Sequence, residues 1–185
     1  MPADQLLPTF RNHPDPLATG SLRPDDDTPC LGCNRIRGYI YTGPVSTEKP
    51  FILEDHLYPW CIADGTAAKR FGATFCDTGM LDDIPAPARD EVEERTPGYT
   101  AWQQETWLGC CGDAAAFMGM AGAKELRERF PEAIGAVKRV LRDDFDLSGK
   151  ELQEFLDSLS TESDATAYIF RCLHCGKYLA EVDQA

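Results

Sequence analysis

No stretch of this sequence is apolar for anything near the ~20 residues that cross a bilayer. Its start, Met1-Pro2-Ala3-Asp4-Gln5, lacks a basic segment followed by an apolar one. The expectation is an unexported, cytoplasmic protein with no membrane partner. Basic residues are few: 18 Lys and Arg stand against 31 Asp and Glu, a formal net charge of -13. A nucleic-acid surface gains affinity by replacing counterions with Lys and Arg, so no nucleic acid is expected as partner. Acidity suits solubility or a basic protein partner. There is no internal repeat, no low-complexity tract and no recognisable array of nucleophile and base. With 185 residues and 43% hydrophobic content, the chain is long enough to bury a real core in a single compact domain.

What the sequence does have is eight cysteines. Disulfides would require an oxidising compartment, so the two C-x-x-C pairs, Cys30-Leu31-Gly32-Cys33 and Cys172-Leu173-His174-Cys175, read as metal ligands or redox centres. A redox pair of the thioredoxin type opens a helix after a strand, and neither pair here precedes a helical pattern. Metal therefore leads. The second pair lies between two β-prone runs, Thr166 to Arg171 and Lys177 to Val182, with Gly176 allowing the backbone to turn. This is the form of a zinc knuckle, whose two thiolates can both face one ion at about 2.3 Å.

Along the chain, residues 1 to 29 read as an extended arm in which Pro14 and Pro16 bar a helix, and His13 beside Asp15 is either a fixed histidine or a catalytic or metal pair. Gly38 to Val45 is β-prone and follows the first pair, as in the opening half of a zinc ribbon. The second half of a ribbon should bring another C-x-x-C, but Tyr58-Pro59-Trp60-Cys61 supplies one sulfur. A helical pattern runs from Ile62 to Phe71 and stops at Gly72; Ala88 to Arg95 forms a short charged helix. Thr96 to Leu108 is a further helix candidate, with at least one of Trp102 and Trp107 in the core and Cys110-Cys111 at its end. Ala114 to Met120 suits tight packing. Three helices follow: Ala123 to Phe130, Pro131 to Leu141, and one from Ser148, where Ser148 and Glu151 match a capping box. The fold class expected is α+β, with ribbon-like β elements at both ends (about 10–60 and 164–183) packed on a helical middle (about 61–160).

Two ligand schemes fit. The first joins Cys30, Cys33, Cys172 and Cys175 in one four-sulfur site between the chain ends, and spacing favours it slightly. The second has two sites: Cys30, Cys33 and Cys61 with a fourth ligand such as His56, and Cys172 and Cys175 with Cys111 or Cys110 and His174 as a further candidate. Cys76 reads as a small buried hydrophobe. A site with three protein ligands would leave a position for zinc hydrolysis, with Asp64, Glu105 or His13 as base. Sulfur-rich sites are more often structural, which favours a non-enzymatic protein.

The blocks His13-Pro14-Asp15-Pro16, Gly38 to Val45, Pro59 to Gly65, Thr96 to Tyr99 with Trp102 to Glu105, and Cys172-x-x-Cys175-Gly176 together resemble the CbrC family of bacterial colicin-tolerance proteins, over about residues 10 to 180. The resemblance implies the two-site scheme, because the family commonly carries C-P-W-C where this chain has Tyr58-Pro59-Trp60-Cys61. It also implies Cys111 as third ligand beside Cys172 and Cys175. The expected metal ligands are thus Cys30, Cys33, Cys61, Cys111, Cys172 and Cys175, with zinc as the ion. Functionally the resemblance implies tolerance of a DNA-cutting colicin and no particular reaction. The acidic charge and the structural ligand set favour a zinc-stabilised protein that acts by protein binding, against a nuclease bacteriocin or in a stress response, with a zinc-dependent hydrolase-like enzyme as the alternative.

Overall fold

The computed structural model describes residues 6–47, 52–163 and 165–184; Met1 to Gln5 lie outside them. The fold is α+β, mixing short helices with small antiparallel sheets. The largest sheet has three strands in the order β5 (Ala116–Ala121), β6 (Ala165–Arg171), β7 (Tyr178–Gln184), all antiparallel. Strand β6 is central and buried on both faces, which is why Ala165-Thr166-Ala167-Tyr168-Ile169-Phe170 reads as a nearly continuous apolar run.

Alternation along β6 and β7 divides the core. Ala167, Ile169, Ala180 and Val182 face a helical layer made of α4 (Ala123–Glu128), α5 (Ile134–Asp143) and α6 (Gly149–Ser158), which contribute Leu126, Val137, Leu141, Leu152 and Leu156. Tyr168 and Phe170 face the opposite way, into an aromatic cluster with Tyr99, Trp107 and Phe117; Tyr99 stacks on Phe117 with ring centroids 4.1 Å apart. The helix candidates after residue 120 are all present. Pro131–Ala133 is a 3-10 turn leading into α5, and Ser148 occupies the N-cap of α6 without a side-chain capping bond. The carboxylate bond that does cap a helix start belongs to Glu125, which accepts the Gly122 N–H at 3.0 Å.

A third core lies toward the N-terminus. There β1 (Leu22–Asp25) pairs antiparallel with β2 (Gly38–Tyr41), and Leu22, Tyr41, Leu57, Ile62, Phe71 and Phe75 pack together. The helical pattern after Cys61 is two short helices, α1 (Pro59–Ala63) and α2 (Thr66–Phe71), separated at Gly65, whose φ of 74° breaks the first. Helix α3 (Ala86–Arg95) buries Val92, exposes Asp90, Glu94 and Arg95, and leaves Arg89, Glu91 and Glu93 half-buried.

Residues 96 to 108 depart from expectation. They form an irregular strap over the aromatic face of the sheet, with no helix. Trp107 is fully buried and donates its indole N–H to the Ala115 carbonyl at 2.9 Å, while Trp102 is half exposed and donates to the Thr166 hydroxyl at 3.0 Å. These tertiary bonds replace the intrahelical ones, and Gly98 is where the strap crosses closest: a Cβ there would fall 1.8 Å from the Phe75 carbonyl oxygen. The strap leads into a two-residue hairpin, β3 (Gly109–Cys110) with β4 (Asp113–Ala114). The middle of the chain is thus part sheet, because Ala116 to Ala121 pairs with β6. Among the described residues no helix is long and apolar enough to cross a membrane.

Candidate metal centre

The two C-x-x-C turns are built alike. The N–H of Cys30 donates to the Arg35 carbonyl at 2.9 Å and the N–H of Asn34 to the Cys30 carbonyl at 2.6 Å; Cys172 to Lys177 (2.8 Å) and Gly176 to Cys172 (3.1 Å) repeat the pattern. The fourth residue after the first cysteine takes a left-handed backbone in both, with φ 55° at Asn34 and 72° at Gly176. Glycine adopts that region freely, and asparagine is among the side chains that tolerate it. Local sequence therefore shapes each turn, aiming two sulfurs the same way.

Tertiary packing decides what meets them. Cys30, Cys33 and Cys61 form one group, and Cys110, Cys111, Cys172 and Cys175 another, with ligand atoms in each lying within 4.8 Å of one another. The single site shared by Cys30, Cys33, Cys172 and Cys175 is thus replaced by two separate groups. Within them, Cys30 and Cys61 sulfurs are 3.7 Å apart, Cys110 and Cys111 3.7 Å, and Cys110 and Cys175 3.8 Å. A disulfide would bring sulfurs to about 2.05 Å. A tetrahedral ion with bonds of about 2.3 Å to sulfur sets its ligands about 3.8 Å apart. The observed spacing is the second of these.

In the first group the turn 30–33 sits between β1 and β2, and Cys61 comes from α1. Cys30 and Cys61 are buried and Cys33 is partly exposed. Gly32 has no room for a side chain, since a Cβ would meet the Cys61 sulfur at 2.9 Å. The Tyr58 N–H donates to the Cys30 sulfur at 3.3 Å, and its hydroxyl points away to the Thr28 carbonyl at 2.5 Å. The sulfur–hydrogen bond shared with Cys61, joined by the backbone groups of Cys33, Tyr58 and Gly32, pushes the Cys30 thiol down to about 5, while Cys61 beside it is raised. His56 is outside the group; its Nδ1 lies 2.6 Å from the Glu54 carbonyl.

In the second group the turn after β6 brings Cys172 and Cys175 to the tip of the β3–β4 hairpin. Cys111 and Gly112 form that tip with φ of 56° and 72°, the pair of left-handed residues a two-residue type I′ turn requires. The Cys175 N–H donates to the Cys172 sulfur at 3.4 Å and, with other donors, pushes that thiol down to about 6; Cys110, hydrogen-bonded to Cys172, is raised to about 12. His174 is not in the sulfur group. Its Nε2 lies 2.7 Å from the Asp113 carboxylate, which also pairs with Arg11, and the Arg11 bond holds the Asp113 carboxyl below its usual range. This chain of three residues links the N-terminal arm to both turns of the centre. Sequence spacing carries no sign of it, whereas the adjacent cysteines before Gly112 are a local signal for Cys110 as well as Cys111.

The remaining candidates are engaged elsewhere. His13 is buried, with Nδ1 2.7 Å from the Pro97 carbonyl and Nε2 2.7 Å from the Thr19 hydroxyl. The carbonyl can only accept, so Nδ1 carries the proton and Nε2 accepts from Thr19. Asp64 accepts the Thr66 N–H at 2.8 Å. Glu105, raised by burial, lines a cleft with Asp77 and Glu93. Cys76 is buried and its thiol is pushed up by that burial.

Similar proteins match this chain along nearly its whole length. UPF0167 protein Mb2317 of Mycobacterium bovis is 48% identical over 183 residues, 98% of this chain and 95% of that protein. UPF0167 protein PA1536 of Pseudomonas aeruginosa is 44% identical over 180 residues, 96% of this chain and 97% of that protein. No solved structure matches the chain. A family model covers residues 7–184, and the chain belongs to that family, UPF0167, described as an uncharacterised protein family.

Proposed function

We propose that this chain is a zinc-stabilised, non-enzymatic protein that acts by binding another protein, with metal held at both cysteine groups. The observation that carries the metal reading is the convergence of Cys110, Cys111, Cys172 and Cys175, whose four sulfurs lie within 4.8 Å of one another, with the Cys110–Cys111 and Cys110–Cys175 pairs at 3.7 and 3.8 Å, the edge length of a zinc–sulfur tetrahedron. An all-sulfur donor set favours zinc over harder ions. Cys30, Cys33 and Cys61 would hold the second ion, making each end of the chain ribbon-like. All eight cysteines are free, as a reducing compartment such as the cytoplasm would keep them.

Support for a non-enzymatic role comes from the engagement of His13, Asp64 and Glu105 described above, which leaves none of them beside a sulfur group. The excess of acidic residues, with Asp77, Glu93 and Glu105 sharing one cleft, suits a basic protein partner and not a nucleic acid. The resemblance to colicin-tolerance proteins makes a nuclease bacteriocin the first partner to try. Protein purified with a non-thiol reductant should contain two zinc ions per chain; none at all would overturn the metal reading. Mixing with a nuclease bacteriocin should give a complex and inhibition, and neither would overturn direct binding.

A further inference from the structure

We propose that the Cys30–Cys33–Cys61 centre completes its coordination with a thiolate from outside the chain. The inference rests on the metal reading and goes beyond it. Among the described residues only three His, Cys, Asp or Glu ligand atoms converge here, against four at the other centre. Tyr58 stands three residues before Cys61, the spacing that separates Cys30 from Cys33, yet its hydroxyl is bonded to Thr28 and turned from the sulfurs. A tetrahedral ion held by three thiolates keeps one open position.

The surroundings select what fills it. Cys33 is the partly exposed residue of the three, while Cys30 and Cys61 are buried, so the group lies nearest solvent on that side. Leu31 and Ile36, 43% and 55% exposed, flank the turn and offer apolar contact to a carbon skeleton. Guanidinium groups stand close by: Arg70 donates to the Gly32 carbonyl at 3.0 Å, and Arg37 lies 5.2 Å from the Trp60 ring centre. In a chain of net charge -13, this local positive charge favours an anionic donor over a neutral one. Three thiolates donate charge to the ion and make it soft, which favours sulfur over oxygen. The step is a ligand exchange: the thiol S–H bond breaks and its proton passes to solvent, the bond between the ion and a solvent oxygen breaks, one metal–sulfur bond forms, and no oxidation state changes. The donor is either a small thiol or a cysteine side chain of a peptide.

The test uses the full chain loaded with cobalt(II) under a phosphine reductant, titrated with 2-mercaptoethanol in one arm and a single-cysteine peptide in the other. Sulfur-to-cobalt absorption should rise by about one-seventh, as seven metal–sulfur bonds become eight, and saturate at one thiol per chain. The arm that saturates at the lower concentration identifies the source. Tyr58→Cys, which gives this centre a C-x-x-C pair of its own with Cys61 beside the Cys30–Cys33 pair, should start at the higher intensity and not respond; Cys33→Ser should lose the response and keep the other centre. Two cobalt ions with no response to either thiol would overturn the inference while leaving the metal reading intact; one cobalt confined to the four-sulfur centre would overturn the inference together with the second ion, leaving metal at the four-sulfur centre alone. No cobalt at all would overturn the metal reading itself.

Discussion

Cys111 is a non-glycine residue at φ 56°, a conformation that costs roughly 1–2 kcal/mol for an ordinary side chain. The cost is sensible only if its sulfur contributes something glycine cannot. Cys111→Gly should therefore raise the stability of metal-free protein by about 1 kcal/mol and lower that of the zinc-loaded protein. Denaturant unfolding of both forms checks this, and the same sign in both would count against ligation. His13 shows a different use of burial. Loss of solvent pushes its ring down to about 4 from 6.5, so the folded state binds fewer protons than the unfolded state between those values. Stability is complete above about pH 6.5 and falls as pH drops toward 4, by on the order of 3 kcal/mol in all. Nuclear magnetic resonance titration of the ring should find it neutral at pH 5.5; an ordinary midpoint near 6.5 would refute the assignment.

At the scale of elements, the strap 96–108 and strand β6 hold the aromatic core between them. Gly98→Ala would drive a methyl group into the Phe75 carbonyl, and neighbouring backbone must move; the expected cost is about 3 kcal/mol, at the upper end for overpacking. Phe170 is fully buried among Tyr99, Trp107 and Phe117, so Phe170→Ala should cost about 3–5 kcal/mol through the cavity it leaves. Thermal unfolding measures both. If either changed the midpoint by no more than a surface substitution does, the strap would not be packed as described. The β3–β4 hairpin is too short to persist alone, and its link to the β6–β7 turn through the cysteine group gives it a fixed position.

Across the whole molecule, each sulfur group ties segments distant in sequence. Cys30 and Cys61 are 31 residues apart, and Cys110 and Cys175 are 65 apart. Binding free energy of an ion held only by the folded state appears directly as folding free energy. Chelation should therefore lower the unfolding temperature, and added zinc should restore it; an unchanged midpoint after verified metal loss would mean that the hydrophobic cores alone carry the fold. The acidic excess predicts, for a basic partner, an association rate that falls as salt rises.

The sequence by itself determined what local geometry governs. The i to i+3 spacing of each cysteine pair and the left-handed residue behind it shape the knuckle turns, 3.6-residue periodicity marks α4 to α6, and the runs on either side of Cys172 to Gly176 mark β6 and β7. Family resemblance pointed to Cys61 and Cys111. Only the tertiary structure decided which cysteines share a centre, that Cys110 joins Cys111, and that Thr96 to Leu108 is a strap and not a helix. These outcomes depend on contacts across tens of residues, where burial of Trp107 and Tyr99 outweighs local helix propensity. The Cys172 turn needs nothing beyond its own few residues to form, but its partners are fixed by where β5 and β6 pair, which no spacing in the chain expresses.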